Sequence, residues 1–156
     1  MSLTALDEST IPSVKGGVVA ILRSKWHDEL VRNMATACTR VLLDHGIESV
    51  EDHEVPGTLE LPLAVRVLSD KRVHDAFVCL SVVEKGSTAH FDMIVHATTD
   101  ALQRISIDQK VPVINEIIAV YDISDAIARA SNDEFNKGIE AAAAALEMID
   151  FVRTSR

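Results

Sequence analysis

Two apolar stretches constrain this chain more than anything else in it: Gly17-Val18-Val19-Ala20-Ile21-Leu22 and Ala76-Phe77-Val78-Cys79-Leu80-Ser81-Val82-Val83. A strand with one wet face alternates apolar and polar residues, so runs without that alternation belong to strands covered on both faces, as in parallel sheets. Neither run approaches the roughly 20 apolar residues that span a bilayer. Longer segments of helical spacing follow each of them. Residues 28–43 place Leu30, Val31, Met34, Cys38, Val41 and Leu42 on one stripe, ended by Asp44-His45-Gly46. Residues 49–55 read as a weaker strand, and residues 59–68 as a helix entered through Pro56-Gly57-Thr58. A helix over 89–107, a strand over 111–120, a short helix over 124–130 and a final helix over 137–152 complete the series. Ala141 to Ala145 run unbroken in that last helix, a strong helix former suited to close packing against another helix, within the subunit or across an interface. The order β-α-β-α-β-α-β-α-α predicts an α/β/α sandwich of three layers on a four-stranded parallel sheet.

A chain of 156 residues with 47% hydrophobic and 25% charged residues suits one globular domain, expected over 17–156. Residues 1–16 read as an arm able to pack on a neighbouring subunit. The opening MSLTALDESTIPSVKGG is acidic and lacks the basic and apolar regions of a secretory leader, and Cys38 and Cys79 sit in apolar surroundings without metal or redox spacing. The expected location is therefore cytoplasmic, with reduced core thiols. A net charge of −9 argues against nucleic acid as a partner, because a phosphate backbone needs a basic face. No membrane partner is expected either. With only 15 Lys and Arg, any site for a phosphorylated small molecule must concentrate positive charge against the protein's own field.

In open parallel sheets ligands bind outside the carboxyl ends of the strands. Lys25-Trp26-His27 follows the first strand, Val55 to Glu60 the second and Glu84 to His90 the third, while Asn115-Glu116 is expected towards the end of the fourth. Each residue has a plain reading beside a chemical one. Trp26, the only tryptophan, either covers an end of the core or offers a stacking platform for a planar ring. Gly57 either serves a turn after Pro56 or exposes backbone to a heterocycle's edge, with Glu60 accepting from ligand hydroxyls. Ser87 and Thr88 in Gly86-Ser87-Thr88-Ala89-His90 either cap a helix or leave its N–H groups to a phosphate. His90 is either structural or a proton carrier, and Arg129 and Lys137 either solvated helix ends or ligand contacts.

Taken in order, Lys25-Trp26-His27-Asp28, VPGTLELP (55–62), VVEKGSTAHFD (82–92), Ala128-Arg129-Ala130 and NKGIEAA (136–142) resemble the lumazine synthase family, over nearly the whole chain from residue 17. The resemblance implies a flavodoxin-like fold assembled as a homopentamer, in some members as decamers or sixty-subunit shells, with sites between subunits. It implies a transferase of riboflavin biosynthesis that condenses 5-amino-6-(D-ribitylamino)uracil with 3,4-dihydroxy-2-butanone 4-phosphate to 6,7-dimethyl-8-ribityllumazine, with no metal or organic cofactor. Carried over residue by residue, Trp26 stacks on the pyrimidine, and Thr58, Leu59 and Glu60 hold the ring and ribityl chain. Val82, Val83 and Glu84 line the ring edge, with Asn115 beside it. Ser87, Thr88 and Arg129 bind phosphate, His90 transfers protons, and Lys137 lies near the substrate. The types suit the reaction: amine attack, loss of water and of phosphate, and ring closure each move a proton, and an imidazole titrates near neutrality.

Three departures from the family's usual pattern stand out: Glu84-Lys85 for Ile-Arg, Asn115-Glu116 for Phe-Gly or Asn-Gly, and Ser81 for a frequent glycine. Glu116 brings a carboxylate near the ring site, with three readings open: it hydrogen-bonds the substrate, it points away, or it weakens phosphate binding by repulsion. The alternative to a working synthase is a non-catalytic relative that binds a lumazine or flavin, or an assembly scaffold.

Overall fold

A computed structural model describes residues 4–155. Four parallel strands, β1 (Val18–Ser24), β2 (Ser49–Val55), β3 (Ala76–Glu84) and β4 (Val113–Val120), form one sheet in the order β2-β1-β3-β4. Between and after them run α1 (Asp28–Asp44), α2 (Leu61–Lys71), α3 (His90–Gln109), α4 (Ile123–Ala130) and α5 (Lys137–Thr154), with a 3₁₀ turn, Thr58–Glu60, leading into α2. The expected three-layer sandwich is the one found. β1 and β3, the non-alternating runs, hold the middle of the sheet and are buried from Val19 to Ser24 and from Ala76 to Val83. Val19, Ile21, Val78, Leu80, Val82 and Ile118 pack under α1, α4 and α5; Ala20, Leu22, Phe77, Cys79 and Val113 pack under α2 and α3. No helix of the described residues is long and apolar enough to cross a membrane.

The weak signal of β2 has an electrostatic cause. It is an edge strand whose carboxylates hold cations that would otherwise be stranded. Asp52 and Glu54 accept from the buried Arg23 of β1, at 2.9 Å from Nε to Asp52, while Glu51 accepts from Arg72 and from the buried His74 at 2.8 and 2.9 Å. A buried guanidinium needs such partners, because desolvation without pairing is costly. Cys38 and Cys79 are buried free thiols, and burial pushes both up, Cys79 to about 12, which makes them unreactive.

The alanine run of α5 packs within the subunit. Ala141, Ala142, Ala145 and Leu146 bury against α1, and the approach is closest at Gly138, where an added Cβ would meet the Met34 carbonyl oxygen at 2.0 Å. The Asn136 side chain caps α5 by accepting from the Gly138 N–H at 2.8 Å. Gly138→Ala is therefore expected to push α5 off α1 at a cost of about 2–3 kcal/mol. Thermal denaturation should read this as a fall in Tm of roughly 5–10 °C. From the expected arm, Ile11 and Val14 bury in this chain's own core, and the Val14 N–H donates to the His45 carbonyl; residues 1–3 of that arm lie outside the described residues. β4 begins at Val113, two residues later than its hydropathy suggests, because the Val111 N–H and carbonyl are both taken by Ser106 at the end of α3.

Candidate active site

The parallel arrangement brings the carboxyl ends of β1, β2 and β3 to one rim, and a cavity of about 460 Å³ opens there. That lies within the roughly 300–1,000 Å³ usual for small-molecule sites. β1 leads into Trp26, which is 71% exposed and lies on the cavity wall. Trp26 therefore covers no core end, and its ring is free to stack. The turn after β2 supplies Thr58, Leu59 and Glu60, and the end of β3 supplies Val82, Val83 and Glu84. His90, the first residue of α3, completes the wall and is exposed to the cavity rather than packed in the core. At Gly57 the backbone runs close to both Trp26 and Glu60. A Cβ there would lie 3.7 Å from the indole Nε1 and 2.8 Å from Glu60 Oε2.

Ser87 and Thr88 occupy the loop that joins Glu84 to His90 and are exposed. The residue before α3, Ala89, provides no side-chain cap, and the Thr88 hydroxyl reaches only the His90 N–H, at 3.4 Å. The start of α3 thus presents backbone N–H groups, with the positive end of the helix dipole, beside the cavity.

Three of the expected residues lie elsewhere in the chain. Asn115 is the third residue of β4, opposite Cys79, with its amide donating to Thr99 Oγ1 at 3.2 Å. Arg129, on α4, donates to the Asp125 carbonyl at 2.8 Å. Lys137 opens α5, is 1% exposed and pairs with Glu140 at 2.5 Å. None of the three lines the cavity, which sits over β2, β1 and β3, whereas these residues belong to β4 and the helices after it.

Of the three readings of Glu116, the structure favours the one in which its carboxylate points away. It points to the opposite face of β4 from Asn115, towards Lys137, Glu140 and Cys38. Burial, then repulsion from Glu140, pushes its carboxyl up to about 7 against the pull of Lys137. The folded chain therefore binds a proton between pH 4.5 and about 7 that the unfolded chain has released, so stability falls as pH rises through that window. By pH 8 the loss amounts to about 3 kcal/mol. Glu116→Gln removes this titration. Its Tm, relative to that of the unsubstituted protein, is expected to be roughly 5–10 °C higher at pH 8 than at pH 5. The opposite trend in paired thermal scans would mean that Lys137 outweighs burial.

Sequence reasoning named His27 only as a neighbour of Trp26 and missed Ile94; both line the cavity. His27 adopts φ 53 at the start of α1, an unusual conformation for a residue that is not glycine and one often found at functional sites. Ile94 stands one helical turn after His90, so the i, i+4 spacing carried its signal. Among the described residues, no group of three His, Cys, Asp or Glu side chains is placed to hold a metal ion.

The comparisons with known proteins point one way. A family profile described as 6,7-dimethyl-8-ribityllumazine synthase matches residues 16–153. A protein of Mycobacteroides abscessus with that name is 35% identical over 149 residues, covering 94% of this chain and 92% of its own. Namesakes from Stenotrophomonas maltophilia and Chlorobium phaeobacteroides are 35% and 32% identical, over 85% and 90% of this chain and 87% and 92% of their own. With the profile spanning most of the chain and the rim cavity where a parallel sheet of this order puts its ligands, the chain belongs to the 6,7-dimethyl-8-ribityllumazine synthase family.

Proposed function

We propose that the protein condenses 5-amino-6-(D-ribitylamino)uracil with 3,4-dihydroxy-2-butanone 4-phosphate to 6,7-dimethyl-8-ribityllumazine, releasing phosphate and water, as a step of riboflavin biosynthesis in the cytoplasm. The observation that carries this reading is the shared wall: an exposed indole, the 57–60 backbone with Glu60, and the His90 imidazole all border one cavity beside an uncapped helix start. In this reading the pyrimidine lies against Trp26. Thr58, Leu59 and Glu60 hold its polar edge and ribityl hydroxyls, while Val82, Val83 and Glu84 border the ring. The phosphate of the four-carbon ketone sits on Ser87, Thr88 and the first N–H groups of α3, where dipole and donors both favour an anion.

The ring amine attacks the ketone carbonyl, and the resulting carbinolamine loses water. Phosphate then leaves, and the second nitrogen adds to the remaining carbonyl and closes the ring with loss of a second water. His90 carries protons between these steps as general acid and base. Holding both substrates in contact supplies much of the remaining acceleration by removing the entropy of encounter.

Lys137, buried against Glu140, stays within its own subunit in this proposal, while Arg129 and Asn115 enter the site from a second copy of the chain. They lie on the β4, α4 and α5 flank, at the far edge of the sheet from β2, so a neighbour set side by side brings its own flank to the cavity. Arg129 then adds a charge-assisted contact to the phosphate. A closed ring of such contacts gives a homopentamer, which light scattering on the purified protein tests directly. The reaction itself is tested by mixing the two substrates with the protein and following lumazine absorbance and fluorescence. Product formation well above the uncatalysed rate supports the synthase; a rate at that background supports a non-catalytic binder.

A further inference from the structure

Beneath the cavity floor three hydroxyls from distant parts of the chain form a line. Ser81 Oγ lies 2.8 Å from Ser24 Oγ and 2.7 Å from Thr58 Oγ1. Ser24 and Ser81 are fully buried, and Thr58 nearly so. The neighbours on this side of the sheet are apolar, including Leu22, Cys79 and Leu61. Hydroxyls in such surroundings carry a desolvation cost unless they bond to one another, so the line holds its members in register. A fourth hydroxyl, Thr98 on α3, donates to the Thr58 carbonyl at 3.5 Å. Thr58 is thus held through both its side chain and its backbone.

We propose that Ser81 is a positioning residue: its hydroxyl, bonded on both sides, fixes the Thr58–Glu60 turn against the ends of β1 and β3 and so sets the angle at which that turn meets the ligand. The placement of the three residues makes this bridge consequential. Ser24 directly precedes Lys25-Trp26, Ser81 directly precedes Val82 and Val83, and Thr58 is itself on the cavity wall. The three wall segments that meet the pyrimidine therefore share one buried bridge. The Gly86–His90 loop, which takes the phosphate, has no member in it. The inference rests on the pyrimidine assignment made under Proposed function, and it predicts that the two substrates respond differently.

The test is Ser81→Ala, which removes the central hydroxyl and leaves two buried hydroxyls without that partner. Amide hydrogen exchange should quicken at residues 58–61 while residues 90–94 keep their protection. In steady-state kinetics the KM for the ribitylaminouracil should rise roughly tenfold, the scale of one lost buried hydrogen bond plus its stranded partner. The KM for the phosphorylated ketone should stay within twofold, and kcat should change little. Ser81→Cys keeps the volume and a weak donor, and should lose less on both readouts. It also supplies the comparison if the alanine variant folds poorly. Unchanged exchange at 58–61, or equal rises in both KM values, would overturn the inference. If the unsubstituted protein makes no product, the proposed function fails, while the exchange experiment still decides whether Ser81 fixes the turn.

Discussion

Replacing His90 with alanine is expected to slow turnover by roughly ten- to a hundredfold, at or just below the low end of general acid–base catalysis. The effect is bounded because the other wall residues still hold the substrates together. The imidazole is exposed on the cavity wall, and the His90 backbone N–H donates to the Thr88 hydroxyl. Removing the ring therefore leaves the core intact, and Tm and particle mass should match those of the unsubstituted protein. A variant that loses assembly instead of rate would show His90 to be structural. His90→Gln, which keeps a hydrogen-bonding side chain but cannot carry a proton at neutral pH, should lose nearly as much rate as the alanine variant.

The second large effect is expected at Trp26. Stacking of a base-like ring on an aromatic side chain is worth about 1–3 kcal/mol, so Trp26→Ala should raise the KM for the pyrimidine substrate by roughly ten- to a hundredfold. A ring 71% exposed contributes little to folding, and the same substitution should move Tm by no more than about a degree or two. Trp26→Phe keeps a π-face and should recover most of the lost affinity. Calorimetric titration with the lumazine product measures this separately from turnover.

The arrangement of the sheet was legible in the sequence because its signals are local. Non-alternating runs at 18–22 and 76–83 read as strands covered on both faces, and each was followed by an apolar stripe of helical period. Once the strands are parallel, the loops after them must share a rim, which is how Trp26, Glu60 and His90 come together from positions far apart in the chain. What the sequence left unread depends on partners met only in three dimensions. Asn115 and Glu116 were expected towards the end of β4. They lie in its first half, five and four residues before its carboxyl end at Val120, so they fall short of the rim. The surroundings of Glu116 are set by Lys137 and Glu140 on a helix that follows it by about twenty residues, and no spacing in the sequence announces that cluster. The bridge of Ser24, Ser81 and Thr58 is hidden for the same reason. Each is an ordinary hydroxyl alone, and only the meeting of three strand ends makes them one buried unit.

The central claim is that the rim cavity over β1, β2 and β3 binds the reacting heterocycle. A crystal structure of the protein with 6,7-dimethyl-8-ribityllumazine and inorganic phosphate tests it most directly. The account predicts the bicyclic ring face to face with the Trp26 indole, its polar edge on the 57–60 backbone, and phosphate at Ser87, Thr88 and the start of α3, with His90 between the two. Product bound at another surface, with the Trp26 indole bare and the α3 start empty, would contradict it.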